Sequence, residues 1–292
     1  MDFGRLLTAM VTPFDDNLQI DYGKLDRLIE HLIATGTTTI VVAGTTGESP
    51  TLSHDEKLAM FQFVVEKAAG RVKVVAGTSS NNTAESVKFS QQAEAVGVDG
   101  LLLVAPYYNK PSQEGIYQHF KAIAEGVKIP CILYNIPGRT SINMNAATTL
   151  RLAEIPNIVA TKESSGDFSQ ISEITAGAPE GFKVYSGDDY LTLPMMSLGA
   201  YGIVSVASHV IGEEMTKMID AFTAGRNQEA ADWHKRLYPV FTGLFLATNP
   251  TLVKAALGLL DVPVGGVRLP LVAADEELVA EVAKRLSKLK NA

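Results

Sequence analysis

The sequence predicts a (β/α)₈ barrel. Eight short runs rich in Val, Ile and Leu recur along its 292 residues. Most lack polar alternation, as strands buried on both faces do. Segments of helical character separate them, and one such barrel of about 250 residues forms a single domain.

The runs are LLTAMV (6–11), TTIVVAG (38–44), VKVVAGT (72–78), GLLLVAP (100–106), CILYN (131–135), IVATKES (158–164), KVYSGD (183–188) and GIVSVAS (202–208). Helical segments between them include 21–36, 53–70, 82–97 and 114–126; the second opens on a capping box, Ser53 with Glu56, and closes at Gly70. Successive βα units at spacings of about 20–35 residues imply parallel strands joined by right-handed crossovers. The alternative is an open, doubly wound sheet. It lacks support, because no G-x-G-x-x-G follows the first run and no phosphate-binding G-x-x-x-x-G-K-[ST] occurs. The units end near residue 225, so residues 1–225 form the expected barrel. Residues 226–292 hold further helical stretches, QEAADWHKRLYPVFTGLFLA and DEELVAEVAKRLSKL, expected to pack on it as a C-terminal extension.

The chain is 46% hydrophobic and 20% charged, with a net charge of −7. That balance argues against nucleic acid and anionic membranes as partners, which need a basic face. The single cysteine, Cys131, lies in the apolar run CILY and reads as a buried structural thiol. Nothing resembles a signal peptide or a membrane span, so a soluble cytoplasmic protein is expected. The histidines (His31, His54, His119, His209 and His234) show no metal-ligand spacing.

In a barrel, the C-terminal strand ends gather in one mouth, and that mouth holds the site. The sixth run delivers Lys162 and Glu163 there. A neutral amine is needed to attack a carbonyl, and an apolar floor disfavours the ammonium. The plain alternative is a rim ion pair with Glu163. Tyr134, from the fifth run, has a phenol suited to shuttling protons, or simply to packing. GTTGES (44–49) is a turn with two glycines ahead of a capped helix; its N–H groups suit a carboxylate, or it is merely a tight turn. Arg139, after a Pro-Gly turn, suits a second carboxylate. Tyr107–Tyr108 reads as an interface pair; Asp188 and Asp189 could hold a cation, but adjacent acids after a strand are more often caps or hydrogen-bond acceptors.

GTTGES, APYYNKP, YNIPGRT, TKES and GIVSVASH, in that order, resemble the dihydrodipicolinate synthase family of pyruvate-dependent class I aldolases. The resemblance covers nearly the whole chain. It implies condensation of pyruvate with aspartate 4-semialdehyde in lysine and diaminopimelate synthesis. Lys162 would form the imine and Tyr134 would relay protons. The Thr46 hydroxyl would bridge Tyr134 to Tyr108 of a neighbouring subunit. Backbone groups of Thr45 and Thr46 would hold the pyruvate carboxylate, and Arg139 that of the semialdehyde. Gly187 and the Ile203 carbonyl would line the pocket. No metal or organic cofactor is implied, and the assembly would be a homotetramer, a dimer of dimers. Lysine-inhibited members bind lysine at positions matching Ser49, Pro50, His54, Lys57, Asn81, Glu85 and Tyr107. Pro50 in place of a small residue and Lys57 in place of a histidine depart from that pattern, and a cation at position 57 would repel lysine. Two rivals remain: a sugar-acid or sialic-acid lyase with the same lysine and tyrosine but generally without the arginine, and a non-catalytic acid sensor.

Overall fold

A computed structural model describes residues 2–290. Eight parallel strands close into a barrel in sequence order. They are β1 (Leu6–Ala9), β2 (Thr39–Val42), β3 (Lys73–Gly77), β4 (Gly100–Val104), β5 (Cys131–Asn135), β6 (Ile158–Glu163), β7 (Lys183–Ser186) and β8 (Gly202–Ser205). Closure runs through β1 and β8, with Leu6 opposite Ile203. All eight expected runs are strands, and most end a residue or more before the run does. The trailing residues, such as Gly44 and Ala105, leave the sheet to build the mouth.

The helices are α1 (Tyr22–Ala34), α2 (His54–Ala68), α3 (Thr83–Val96), α4 (Gln113–Glu125), α5 (Pro137–Thr140), α6 (Ala146–Ala153), α7 (Phe168–Gly177), α8 (Thr192–Ser197) and α9 (Ser208–Thr223). Beyond residue 225 come α10 (Asn227–Gly243), α11 (Thr251–Gly258) and α12 (Glu276–Lys290). Short polar side chains start many of them. Asp21, Asn82, Ser112, Asn145 and Asp167 each accept a backbone N–H of the first turn. The capping box of Ser53 and Glu56 is formed in full.

Strand alternation divides the apolar residues into two layers. Leu7, Val41, Val75, Leu102, Ile132, Tyr134, Ala160 and Tyr185 pack together in one cluster, the barrel interior. A larger cluster joins the outward strand residues to the helices; it also takes in Leu237, Phe241, Leu252, Leu257 and Val282 of the C-terminal helices. Two-residue alternation from Ala160 puts Lys162 on the interior face and Glu163 on the outer one.

Candidate active site at the barrel mouth

Lys162 is 5% exposed, and its Nζ stands 4.2 Å from the centroid of the Tyr134 ring. Register places the two residues opposite each other, Tyr134 on β5 and Lys162 on β6. The next pair, Asn135 and Glu163, faces the helices instead. There the Glu163 carboxylate accepts from Asn135 Nδ2 at 3.1 Å, the Ser165 N–H at 2.7 Å and Gln170 Nε2 at 3.4 Å. Burial pushes that carboxyl above its usual range while these hydrogen bonds pull it down. The alternative of a Lys162–Glu163 rim pair therefore fails for a geometric reason: neighbours on a strand point to opposite faces.

β7 shapes the space around the amine. A Cβ on Gly187 would collide with Ser164 Oγ and lie 2.9 Å from Lys162 Cε. Only glycine leaves the lysine its position. Asp188 is held above the usual carboxylate range by burial, with the Lys162 charge acting against it. Asp189 is an acceptor, as the sequence suggested. It takes Ser205 Oγ at 2.5 Å and the Val206 and Ala207 N–H groups at 3.2 and 3.1 Å, and burial pushes its carboxyl up to about 6. Ile203 is fully buried on β8.

The GTTGES turn follows β2. Thr12, just after the first run, donates to the Gly47 carbonyl at 2.6 Å. Thr46 is buried, and its hydroxyl accepts from Asn249 Nδ2 at 2.9 Å. Glu48, at φ +56°, turns its carboxylate to Lys254 Nζ at 2.6 Å and to the Arg268 N–H at 2.9 Å. These three partners come from the C-terminal extension, and the sequence reading missed them. One signal was present: TLVKAALG sets a lysine inside an apolar helix, much as IVATKE sets one inside a strand.

A pocket of about 320 Å³ opens at this end of the barrel. Its wall takes in Thr45, Tyr134 and Arg139, and also Ser49, Pro50, His54, Lys57, Glu85 and Tyr107. Tyr134 and two of the residues expected to bind substrate, Thr45 and Arg139, thus share one cavity with most of those expected to bind an effector. Thr46, Lys162, Gly187 and Ile203 are not on its wall; Lys162 adjoins it across the Tyr134 ring. Asn81 also lies off the wall, its carbonyl accepting from Asn109 Nδ2. His54 stacks on Phe89 with centroids 4.5 Å apart. The Lys57 ammonium lies 5.8 Å from the same ring, and burial pulls its pKa down. Tyr108 is 89% exposed, at φ +74°. Cys131 is buried, its thiol pushed up to about 12, so it is no nucleophile at neutral pH. Among the described residues no three His, Cys, Asp or Glu side chains converge to hold a metal, and no helix is long and apolar enough to cross a membrane.

The Dihydrodipicolinate synthetase family model matches residues 2–289. A 4-hydroxy-tetrahydrodipicolinate synthase of Symbiobacterium thermophilum is 62% identical over 276 residues, 94% of each chain. A dihydrodipicolinate synthase structure from Bacillus anthracis superposes with a TM-score of 0.97 at 53% identity, covering 98% of both chains. One from Cyanidioschyzon merolae, with lysine bound, gives a TM-score of 0.97 at 46% identity over 99% of both. With matches of this identity and coverage along the whole barrel and its extension, the chain belongs to the dihydrodipicolinate synthetase family.

Proposed function

We propose that this chain condenses pyruvate with aspartate 4-semialdehyde through a Schiff base on Lys162, giving 4-hydroxy-tetrahydrodipicolinate for lysine and diaminopimelate synthesis. The observation that carries the reading is the Lys162 amine, buried at the barrel mouth over the Tyr134 ring. Burial beside a π face leaves the amine with little competition from solvent. The amine adds to the pyruvate C2 carbonyl, and loss of water gives the iminium. Loss of a C3 proton then gives the enamine, whose carbon attacks the aldehyde. The amino group of the second substrate displaces Lys162 as the ring closes, so one water leaves per turnover.

Tyr134 passes protons to and from the C2 oxygen. Thr46 links it to Tyr108 of a second copy of the chain; the near-complete exposure of Tyr108 supports that role. Backbone groups of Thr45 and Thr46 take the pyruvate carboxylate, and Gly187 and the Ile203 carbonyl complete its surroundings. Arg139, exposed at the pocket edge on α5, takes the carboxylate of the second substrate. Residues 1–225 are the catalytic barrel, and 226–292 an extension sharing its apolar core. Assembly is a homotetramer of two dimers in the cytoplasm. No metal or organic cofactor takes part.

Mass spectrometry after incubation with pyruvate and borohydride tests the chemistry. One reduced pyruvate on Lys162 is expected; no adduct on folded protein would overturn the assignment. Arg139→Ala tests the substrate. It is expected to cut turnover with aspartate 4-semialdehyde while leaving the adduct; unchanged turnover would favour a sugar-acid lyase instead.

Lysine itself is expected to inhibit weakly, because the Lys57 ammonium stands on the wall of the pocket that would receive it. Half-inhibition by micromolar lysine in a titration would sink this reading.

A further inference from the structure

The C-terminal extension reaches into the GTTGES turn at alternate residues. Asn249 Nδ2 donates to Thr46 Oγ1 at 2.9 Å, and Lys254 Nζ donates to Glu48 Oε1 at 2.6 Å. Lys254 also donates to the Gly266 carbonyl at 2.6 Å, and Arg268 donates its N–H to Glu48 Oε2. One segment therefore grips the turn and fixes where the Thr46 hydroxyl sits.

A threonine hydroxyl has one O–H to donate and two lone pairs to accept with. A relay between two phenols uses one donated and one accepted bond. That leaves one lone pair over, and Asn249 Nδ2 occupies it. The amide is a donor at this contact, so it does not compete for the Thr46 proton, which stays available to the relay. The other end of the amide, Asn249 Oδ1, is buried without a partner among the described residues. An unsatisfied buried acceptor is unfavourable. The amide nevertheless turns its donor end to Thr46.

We propose that Asn249 is a positioning residue of the reaction, holding Thr46 so that its hydroxyl proton serves the Tyr134 relay. The proposal rests on the Schiff-base reading above. It gives the C-terminal extension a catalytic purpose in addition to its share of the core.

The test is Asn249→Asp, alone and combined with Thr46→Val. An aspartate is nearly isosteric but accepts only, so it captures the Thr46 proton instead of leaving it free. We expect kcat to fall by ~10²-fold, the low end of what a general acid–base step contributes. The KM for pyruvate should change little, and borohydride should still trap the adduct after long incubation. In the Thr46→Val background, Asn249→Asp should have no further effect on kcat. Should Asn249→Asp not fold, Asn249→Ala enters the same cycle. Unchanged kcat in the folded variant, or losses that multiply in the double variant, would overturn the proposal. A wild type that is not trapped on Lys162 would overturn the Schiff-base reading, and the relay with it. A trapped wild type with a kcat-silent Asn249 variant would overturn the relay alone.

Discussion

Lys162 on β6 and Lys254 on α11 are both lysines set in apolar runs, and both are buried, at 5% and 4% exposed. Their surroundings differ. Lys254 has a carboxylate 2.6 Å away, that of Glu48, itself fully buried. The Phe14 ring lies 4.2 Å from its Nζ, and burial pulls its pKa down to about 8 although Glu48 opposes this. It remains mostly a cation at neutral pH. Lys162 has an aromatic ring at 4.2 Å and takes part in no ion pair among the described residues. The nearest carboxylate in sequence, Glu163, is turned to the other face of the strand. A buried lysine with a committed counter-ion ties two elements together, and Lys162 has no such tie among the described residues.

Exchange of each lysine is the most direct way to break this comparison. Lys162→Met should abolish turnover, by ~10⁴-fold or more, as loss of a nucleophile does. The same variant should unfold no earlier than the wild type, because an apolar chain replaces a buried ammonium. Steady-state kinetics and a melting curve on one sample check both statements. Lys254→Met should do the reverse to stability, lowering it by about 3–5 kcal/mol, since it strands the Glu48 charge. Urea unfolding measures this, and Glu48→Gln added to Lys254→Met should recover part of the loss. A Lys254→Met variant as stable as the wild type would erase the distinction drawn here.

A smaller effect sharpens the Lys162 side. Gly187→Ala forces a Cβ against Lys162 Cε and Ser164. We expect a destabilisation of about 1–3 kcal/mol, typical of overpacking, together with slower adduct formation under borohydride. A loss of stability without any change in trapping would mean that the lysine has room to move.

The smallest effect concerns acid. His209 Nε2 accepts the Val11 N–H at 3.1 Å, its Nδ1 contacts the Val206 carbonyl at 2.8 Å, and burial holds its pKa near 4. The folded pKa lies below the unfolded value of 6.5, so the unfolded chain binds the extra proton. The stability contribution is complete above pH 6.5 and is lost as pH falls toward 4, with a slope of at most about 1.4 kcal/mol per pH unit. Asp189, with its carboxyl raised to about 6, slopes the other way. The readout is therefore the difference between wild type and His209→Gln in melting temperature from pH 7 to 4.5. Parallel curves would remove His209 from the account.

Much of the fold was legible because strand and helix signals are local. Short apolar runs, most without alternation, marked every strand, and Ser53 with Glu56 marked the start of α2 to the residue. The helix α11 was passed over, since TLVKAALG is short and follows Asn-Pro. At the site, Lys162, Tyr134 and Arg139 could be placed from strand ends alone. Asn249, Lys254 and Arg268 could not. Each lies more than 200 residues from its partner in the GTTGES turn, and no periodicity links them.

The amino-acid order determined the barrel, the strand that carries each mouth residue and the chemistry those residue types permit. Alternation at a period of two even settles that Lys162 and Glu163 face opposite ways. Only the closed structure decided which buried lysine acquires a counter-ion, that Thr45 and Arg139 share a cavity with Lys57 and His54, and that the C-terminal extension holds Thr46. The reason is that burial and ion pairing depend on the distance between atoms that the chain brings together only when the barrel closes and α11 docks on it.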